Sequence, residues 1–142
     1  MLFQRINRTA PEKIFAICRN SEASAEMFDG EVVVWSAATT AAHGSDVLKS
    51  AGASPLTIAG VVKSRAASGA GNGIAAGEYG TIQIYGFHAN VKTTVAALAA
   101  SLQVNGDSAA AAVAAAVEGA MLGVSLKLGA SNRAGIFIKC MG

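Results

Sequence analysis

The sequence predicts a mainly β, single-domain protein built as a small β-barrel or sandwich. Three observations support this: a long strand-like stretch at residues 74–91, several short runs rich in β-branched residues, and loops of small polar residues between them. With 142 residues, the chain is long enough for one domain with a hydrophobic core. We expect residues 1–12 to form an extended N-terminal arm and residues 13–142 the β-rich domain, with long loops and at most one or two short helices.

The central stretch predicts a long, bent strand. Residues 75–78 have the composition of a turn, and residues 81–87 then alternate between apolar and polar side chains, as a strand does. After Gly86 the alternation shifts by one position, so that Phe87 and Val91 take the apolar side. A change of face around a glycine indicates a β-bulge or a sharp bend, around which a small barrel can be wound.

Five further strands are expected from β-branched and apolar composition, namely residues 13–19, 31–35, 56–63, 121–128 and 136–140. Asp29-Gly30 and residues 130–133 are predicted turns. Residues 36–55 are small and polar, which predicts a long loop with one helical turn near residues 46–50.

The alanine-rich segment at residues 108–118 leaves two interpretations open. Alanine is the best helix former, and Asp107 or Ser108 is a suitable N-cap for a short helix. The neighbouring Asn105-Gly106 pair is instead typical of a tight turn between two strands.

Residues 58–63 and 121–127 resemble each other, because each places Gly-Val after an apolar pair and a lysine shortly afterwards. The similarity predicts two strands with the same role, in which Gly60 and Gly123 allow another backbone to come close.

Composition argues against several classes of partner. The chain is 52% hydrophobic and 14% charged, and its net charge of +2 is too small to favour nucleic acid. It has no unbroken apolar run of about 20 residues and no secretory signal, so we expect no membrane span and a protein made and used, or assembled, inside a cell. Cys18 and Cys140 are expected to be free buried thiols, with one bridge between the chain ends as the alternative.

The residues that usually carry chemistry form no convincing site. Neither His43 nor His88 has a second ligand at metal-binding spacing, so we expect no metal and no cofactor. His43, Ser45 and Asp46 contain the residue types of a catalytic triad, but neighbours on one polar loop do not predict triad geometry. We therefore expect a protein that is not an enzyme.

Ionised side chains are scarce in the middle of the chain. Between Glu78 and Glu118 only Lys92 and Asp107 are charged. Such a stretch is either buried in the core or packed against another subunit. Because its residues are mostly small, we favour packing against a partner, which suggests an assembly protein. The aromatic residues Trp35, Tyr79, Tyr85 and Phe87 form either a binding face or, as we favour, part of the interior or of a subunit contact.

Several segments together resemble the small capsid decoration (cement) proteins of tailed bacteriophages. The similarity lies in Ile-Ala-Ala-Gly-Glu-Tyr-Gly at residues 74–80, Ile-Gln-Ile-Tyr-Gly at 82–86, Leu-Gly-Val-Ser-Leu at 122–126 and Ile-Phe-Ile at 136–138. The Asp-Gly-Glu-Val-Val-Val run at residues 29–34 is similar to an early strand of that family. Residues 36–55 and 107–120 do not match the pattern.

The resemblance implies a protein that binds the outer surface of an icosahedral head, bridges major capsid protein subunits and stabilises the shell against internal DNA pressure. It also implies a homotrimer without catalysis, located on the virion and, during assembly, in the host cytoplasm. Capsid contacts are expected from Phe3, Arg5 and Arg8 in the arm, with acidic capsid groups meeting the arginines. Subunit contacts are expected from Tyr85, Phe87 and Val91. No direct contact with nucleic acid or membrane is implied.

Two alternatives remain. The first is another virion subunit, of the tail tube or the head surface. The second is a carbohydrate-binding β-module that uses Trp35 or Tyr85 as a stacking platform.

Overall fold

The computed structural model describes seven ranges of the chain, residues 12–37, 45–51, 57–64, 68–94, 103–107, 110–114 and 122–140. No α-helix occurs within these ranges, and most of their residues lie in strands. Nine strands follow in chain order: β1 (Ile14–Asn20), β2 (Val32–Trp35), β3 (Asp46–Lys49), β4 (Ile58–Lys63), β5 (Tyr79–Lys92), β6 (Gln103–Asp107), β7 (Ala111–Ala114), β8 (Gly123–Ala130) and β9 (Arg133–Lys139). The prediction of a mainly β protein is confirmed.

One sheet contains all nine strands, and part of it closes on itself. Strand β1 pairs with β3 in parallel and with β5 in antiparallel orientation, while β2 joins β3 to β4 and β4 joins β5. These five strands form a ring of hydrogen-bonded neighbours. From β5 the sheet continues through β9, β8 and β6 to β7. The architecture is therefore a partly closed sheet with a ring at one end, and not a regular barrel.

Strand β5 is the long, bent strand that the sequence predicts. Its first half pairs with β1 and β4, and its second half pairs with β9. Gly86 has a φ of +98°, and a Cβ atom there would lie 2.2 Å from the carbonyl oxygen of Glu12. The register with β9 shifts between His88 and Val91. The change of face predicted at Gly86 therefore comes only after His88, which is buried on the same face as Gly86 although the predicted alternation places it on the polar side.

The two faces of β2 and β4 are both buried, which gives the domain two hydrophobic cores. Val33 and Val62 face a core inside the ring, whereas their neighbours Val32 and Val61 face a second core. The ring core also contains Cys18, Met27, Val47, Ala59, Ile74 and Ile82. The second core is completed by Ile58, Val91, Val104, Ala112, Leu122, Ala134, Ile136 and Ile138. Strands buried on both faces are nearly continuously apolar, as β2 and β4 are.

The similar segments around Gly60 and Gly123 do have the same role. A Cβ atom at Gly60 would lie 2.4 Å from the Gln83 carbonyl oxygen on β5, and one at Gly123 would lie 1.9 Å from the Phe137 carbonyl oxygen on β9. Both distances are far below a normal van der Waals contact. The prediction that these glycines admit a neighbouring backbone is confirmed.

The helical turn predicted near residues 46–50 is wrong, because Asp46–Lys49 is strand β3. Val47 is fully buried in the ring core, and Asp46 pairs with Arg19 of β1. Pairing with β1 and β2 satisfies the backbone of this short segment, which outweighs any local helical preference.

Of the two interpretations of the alanine-rich segment, the strand interpretation holds for the residues that are described. Ala111–Ala114 forms β7, which pairs with β6. The tight turn is not at Asn105-Gly106, because both residues lie within β6. Ala112 is fully buried in the second core, where its small side chain allows β7 to pack closely. The rest of residues 108–118 lies outside the described ranges.

The turn predicted at residues 130–133 is confirmed as the connection between β8 and β9. Ser131 and Asn132 have φ values of +52° and +57°, and Ala130 pairs with Arg133 across the turn. Two successive residues with positive φ are characteristic of a type I′ hairpin turn, whose twist matches that of the flanking strands.

Burial explains part of the scarcity of charge in the middle of the chain. Ile82, Val91, Thr93, Val104 and Ala112 are all buried within this chain. Tyr79, Ala89, Asn90 and Thr94 in the same stretch are exposed, so the core accounts for only some of its described residues, and packing against a partner stays a prediction.

Candidate functional site

Three large apolar side chains are exposed together on the outer face of the ring. The exposed fraction is 45% for Phe15, 65% for Ile17 and 62% for Tyr79. We call these three residues the apolar patch. In the described part of the chain, Leu126 on β8 is the other large hydrophobic side chain with comparable exposure, at 55%. A cluster of such side chains on a small domain is typical of an interaction surface.

The alternation of β1 places the patch on the outside. Cys18 lies in the ring core and Ala16 packs against that core, so the intervening Phe15 and Ile17 face outwards. On β5, Tyr79 is directly opposite Arg19, and Thr81 is directly opposite Ile17. Residues opposite each other in an antiparallel pair share a face, which places Tyr79 beside Arg19 and diagonal to Ile17.

An ion pair fixes one end of the patch. Arg19 donates hydrogen bonds to both carboxylate oxygens of Asp46, with Nε–Oδ1 at 3.0 Å and Nη2–Oδ2 at 2.5 Å. Asp46 is buried, and its carboxylate raises the pKa of Arg19, mainly through these hydrogen bonds. The two-point contact ties β1 to β3 and orients the guanidinium at the rim of the patch.

A second notable region is the group of charges around the Asp29-Gly30 turn. Asp29 Oδ1 accepts hydrogen bonds from Lys63 Nζ at 2.9 Å and from the Ser64 amide at 3.1 Å. Arg133 Nη1 donates to the Asp29 carbonyl oxygen at 2.8 Å. These contacts connect the turn before β2 with β4 and β9.

Glu31, on the other side of the same turn, is buried between two lysines. Its carboxylate is 3.0 Å from Lys49 Nζ and 3.4 Å from Lys92 Nζ, and it accepts a hydrogen bond from the Phe28 amide at 3.0 Å. A cavity of about 400 Å³ lies beside it, lined in part by Glu22 and Ser50. Asp29 and Glu31 are each paired with lysine, and these pairs connect the ring with the second half of β5.

The residues predicted as contacts fall in different places. Phe3, Arg5 and Arg8 lie outside the described residues. Val91 is fully buried in the second core, where it packs within this chain. Tyr85 and Phe87 are half-buried on β5. The Tyr85 ring stands edge-on to Phe137, with ring centroids 5.1 Å apart and an interplanar angle of 83°.

The aromatic residues considered as a binding face are separated in the structure. Trp35 is half-buried and packs against the ring core, and Tyr85 is engaged with Phe137. Tyr79 is the one of this group that belongs to the exposed apolar patch. The sequence predicts Phe15 and Ile17 only as residues of a strand. The available signal was their alternation with the small residues Ala16 and Cys18.

The two cysteines are free thiols. Cys18 is buried in the ring core, and burial together with the nearby Asp46 carboxylate raises its pKa. Burial raises the pKa of Cys140 to about 12. Both thiols are therefore protonated at neutral pH and are poor nucleophiles.

Within the described ranges, no three histidine, cysteine or acidic side chains group in a way that would hold a metal ion. Of the triad residue types, His43 lies outside the described residues and Asp46 is engaged with Arg19. No helix in the described part of the chain is long and apolar enough to cross a membrane.

Comparison with known proteins gives no match: no family model fits the chain, and neither a curated protein nor a solved structure matches it significantly.

Proposed function

We propose that this chain is a phage capsid decoration protein that binds the outer surface of the head and bridges major capsid protein subunits. The observation that supports the proposal is the apolar patch of Phe15, Ile17 and Tyr79. The resemblance of the sequence to decoration proteins suggests that the partner of this patch is the major capsid protein. The work of such a protein is mechanical: it holds neighbouring shell subunits together against the pressure of packaged DNA.

The patch suits docking because its support is rigid. Phe15 and Ile17 lie on β1, which pairs with β5 along most of its length and with β3 at Arg19 and Asn20. Little conformational entropy is lost when side chains on such a strand meet a partner. Burying the exposed parts of three large apolar side chains supplies the hydrophobic contact, and Arg19 provides a polar rim.

The N-terminal arm would extend the same contact. Residues 1–12 lead directly into β1, so an arm that binds the capsid is attached next to the patch. In the proposal, Arg5 and Arg8 meet acidic groups of the capsid surface, and Phe3 adds an apolar contact. An extended arm of this kind can add a strand to an exposed sheet edge of the capsid protein.

A homotrimer would use a different surface. Tyr85 and Phe87 form a half-buried aromatic group with Phe137 where β5 pairs with β9, and we propose it as the contact between subunits. Several copies joined in this way strengthen weak individual contacts with the shell through multivalency.

The change of Ile17 to lysine tests the proposal. Lysine is tolerated at an exposed strand position, so the fold should remain, but a charge at the centre of the patch should weaken attachment to expanded empty capsids about 30-fold, which corresponds to about 2 kcal/mol. Co-sedimentation with the capsids of the phage that encodes the chain measures this. The matched control is Leu126→Lys, which places the same charge on the similarly exposed residue of β8 and should leave binding unchanged.

Equal binding by wild type, Ile17→Lys and Leu126→Lys would show that the apolar patch does not contact the capsid. A wild-type chain that is folded but does not bind capsids at all would end the proposal of a decoration protein. Rings of six subunits in electron micrographs would support the tail-tube or head-surface alternative instead.

A further inference from the structure

A second, smaller cavity lies on the other side of the charged turn and has a different character. Its volume is about 170 Å³, and its lining includes Lys13, Asp29, Lys63, Gln83, His88 and Asn90. Cavities that bind drug-sized molecules occupy roughly 300–1,000 Å³. This one has room only for a small chemical group.

His88 lines this cavity and carries a buried donor atom without a partner. Its side chain is 3% exposed, and its Nδ1 atom accepts a hydrogen bond from the Asn90 amide at 3.2 Å. In the neutral imidazole the proton must therefore be on Nε2. This Nε2–H has no hydrogen-bond partner in the described structure. A buried donor without an acceptor costs about 1–3 kcal/mol, so such a group is expected to have a ligand or water.

The neighbouring carboxylate does not satisfy this donor. Asp29 Oδ1 is 3.8 Å from His88 Nε2, which is too long for a hydrogen bond. The same oxygen already accepts hydrogen bonds from Lys63 and from the Ser64 amide.

Three cations and one carboxylate lie around the imidazole, and the carboxylate is already paired with Lys63. Among the described residues, Asp29 is the strongest single charge that acts on His88, and the positive charges of Lys63, Lys13 and Arg133 oppose it. Burial and the three cations lower the pKa of His88 to about 4. At neutral pH the ring is therefore uncharged and offers a single N–H donor.

A metal ion does not fit this arrangement. A metal bound at Nε2 would require the proton on Nδ1, but Nδ1 accepts the Asn90 amide. The surrounding lysines and Arg133 would also repel a cation.

We propose that this cavity binds one carboxylate group, which accepts a hydrogen bond from His88 Nε2–H and lies in the positive field of Lys63 and Lys13. The carboxylate is either that of a small free acid or the side chain of an aspartate or glutamate on a partner protein. The proposal does not depend on the capsid role, because it rests only on the cavity and its lining.

Nuclear magnetic resonance of the full chain, labelled with ¹⁵N in histidine and in the backbone, tests the proposal. Sodium acetate replaces sodium chloride at constant ionic strength and neutral pH. We expect the His88 ring signals and the Ala89 amide to shift with saturation in the millimolar range, the affinity reached by a few polar contacts. N-acetylglutamate amide distinguishes the two sources of the carboxylate. If it binds as tightly as acetate, the cavity accepts an acidic side chain of a protein. If only acetate binds, the ligand is a small free acid. N-acetylglutaminamide, which has no charge, should not bind.

Two variants give effects of opposite sign. His88→Phe keeps a ring but removes the donor, and should abolish the saturable shift of the Ala89 amide. Asp29→Asn removes the competing negative charge while keeping an acceptor for Lys63, and should strengthen acetate binding about threefold or more. Lys49→Gln, a lysine paired with the other carboxylate of the turn, is the matched control and should not change acetate binding.

The absence of any saturable shift in wild type and in Asp29→Asn would overturn the proposal. So would a slowly exchanging His88 Nε2–H signal that acetate leaves unchanged and Asp29→Asn alters, because the imidazole would then donate directly to Asp29.

Discussion

Replacing Gly123 by alanine is expected to lower the free energy of unfolding by about 3 kcal/mol. The new Cβ atom would lie 1.9 Å from the Phe137 carbonyl oxygen and 3.0 Å from the Ile138 Cα atom. Both are backbone atoms of β9, so no side-chain rotation can relieve the clash, and β8 and β9 must move apart. Urea unfolding monitored by circular dichroism measures the change.

Gly77→Ala is the matched control for this prediction. Gly77 has a φ of +81°, but nothing lies within 4 Å of a Cβ atom there. Only the cost of a left-handed conformation remains, about 1–2 kcal/mol. Equal losses in the two variants would contradict the close approach of β8 and β9 at Gly123.

Acid is expected to destabilise the fold through His88 by about 3 kcal/mol between neutral pH and pH 4. The pKa of this imidazole falls from its ordinary value of 6.5 to about 4, chiefly through burial, with Lys63, Lys13 and Arg133 adding to the shift and Asp29 opposing it. The unfolded chain therefore binds a proton that the folded chain does not, so stability falls as pH decreases through this interval. Each pKa unit corresponds to about 1.4 kcal/mol, which gives the magnitude.

His88→Phe isolates this contribution. Carboxylates also titrate in the lower part of the interval, but they are common to both proteins and cancel in the difference between their pH profiles. Wild type should lose about 3 kcal/mol more than the variant between pH 7 and pH 4. Parallel profiles would mean that His88 is not buried in its neutral form.

Local sequence signals predicted the features that depend on a few adjacent residues. The positive φ at Gly86, the close approaches at Gly60 and Gly123 and the hairpin turn at residues 130–133 all follow from what glycine and turn residues can do. These positions need either a positive φ or the absence of a Cβ atom, and the residue type shows this directly.

Features that depend on pairing between segments far apart in the chain could not be predicted from local sequence signals. Strand β3 has only four residues and exists because β1 and β2 bind it on either side. The second core needs β2 and β4 to be covered by strands from the other end of the chain. The composition of residues 108–118 favours helix, but burial and pairing with β6 make Ala111–Ala114 a strand.

The exposed patch and the burial of His88 also combine local sequence signals with features that only the fold reveals. The alternation in β1 contains the exposed positions Phe15 and Ile17, but the usual expectation that large apolar residues point inwards assigns them to the core. In this strand the small residues Ala16 and Cys18 face the narrow interior of the ring. His88 is buried because the change of face comes after this residue and not at Gly86, and only the register with β9 reveals that position.

Oxidative footprinting of the chain, free and bound to expanded capsids, tests the proposed contact most directly. Phe15 and Tyr79 react readily with hydroxyl radicals when exposed, and Leu126 serves as the internal reference because it is similarly exposed in the free chain. We predict that capsid binding lowers the oxidation of Phe15 and Tyr79 several-fold and leaves that of Leu126 unchanged. Unchanged oxidation of Phe15 and Tyr79 on a chain that is demonstrably bound would contradict the account.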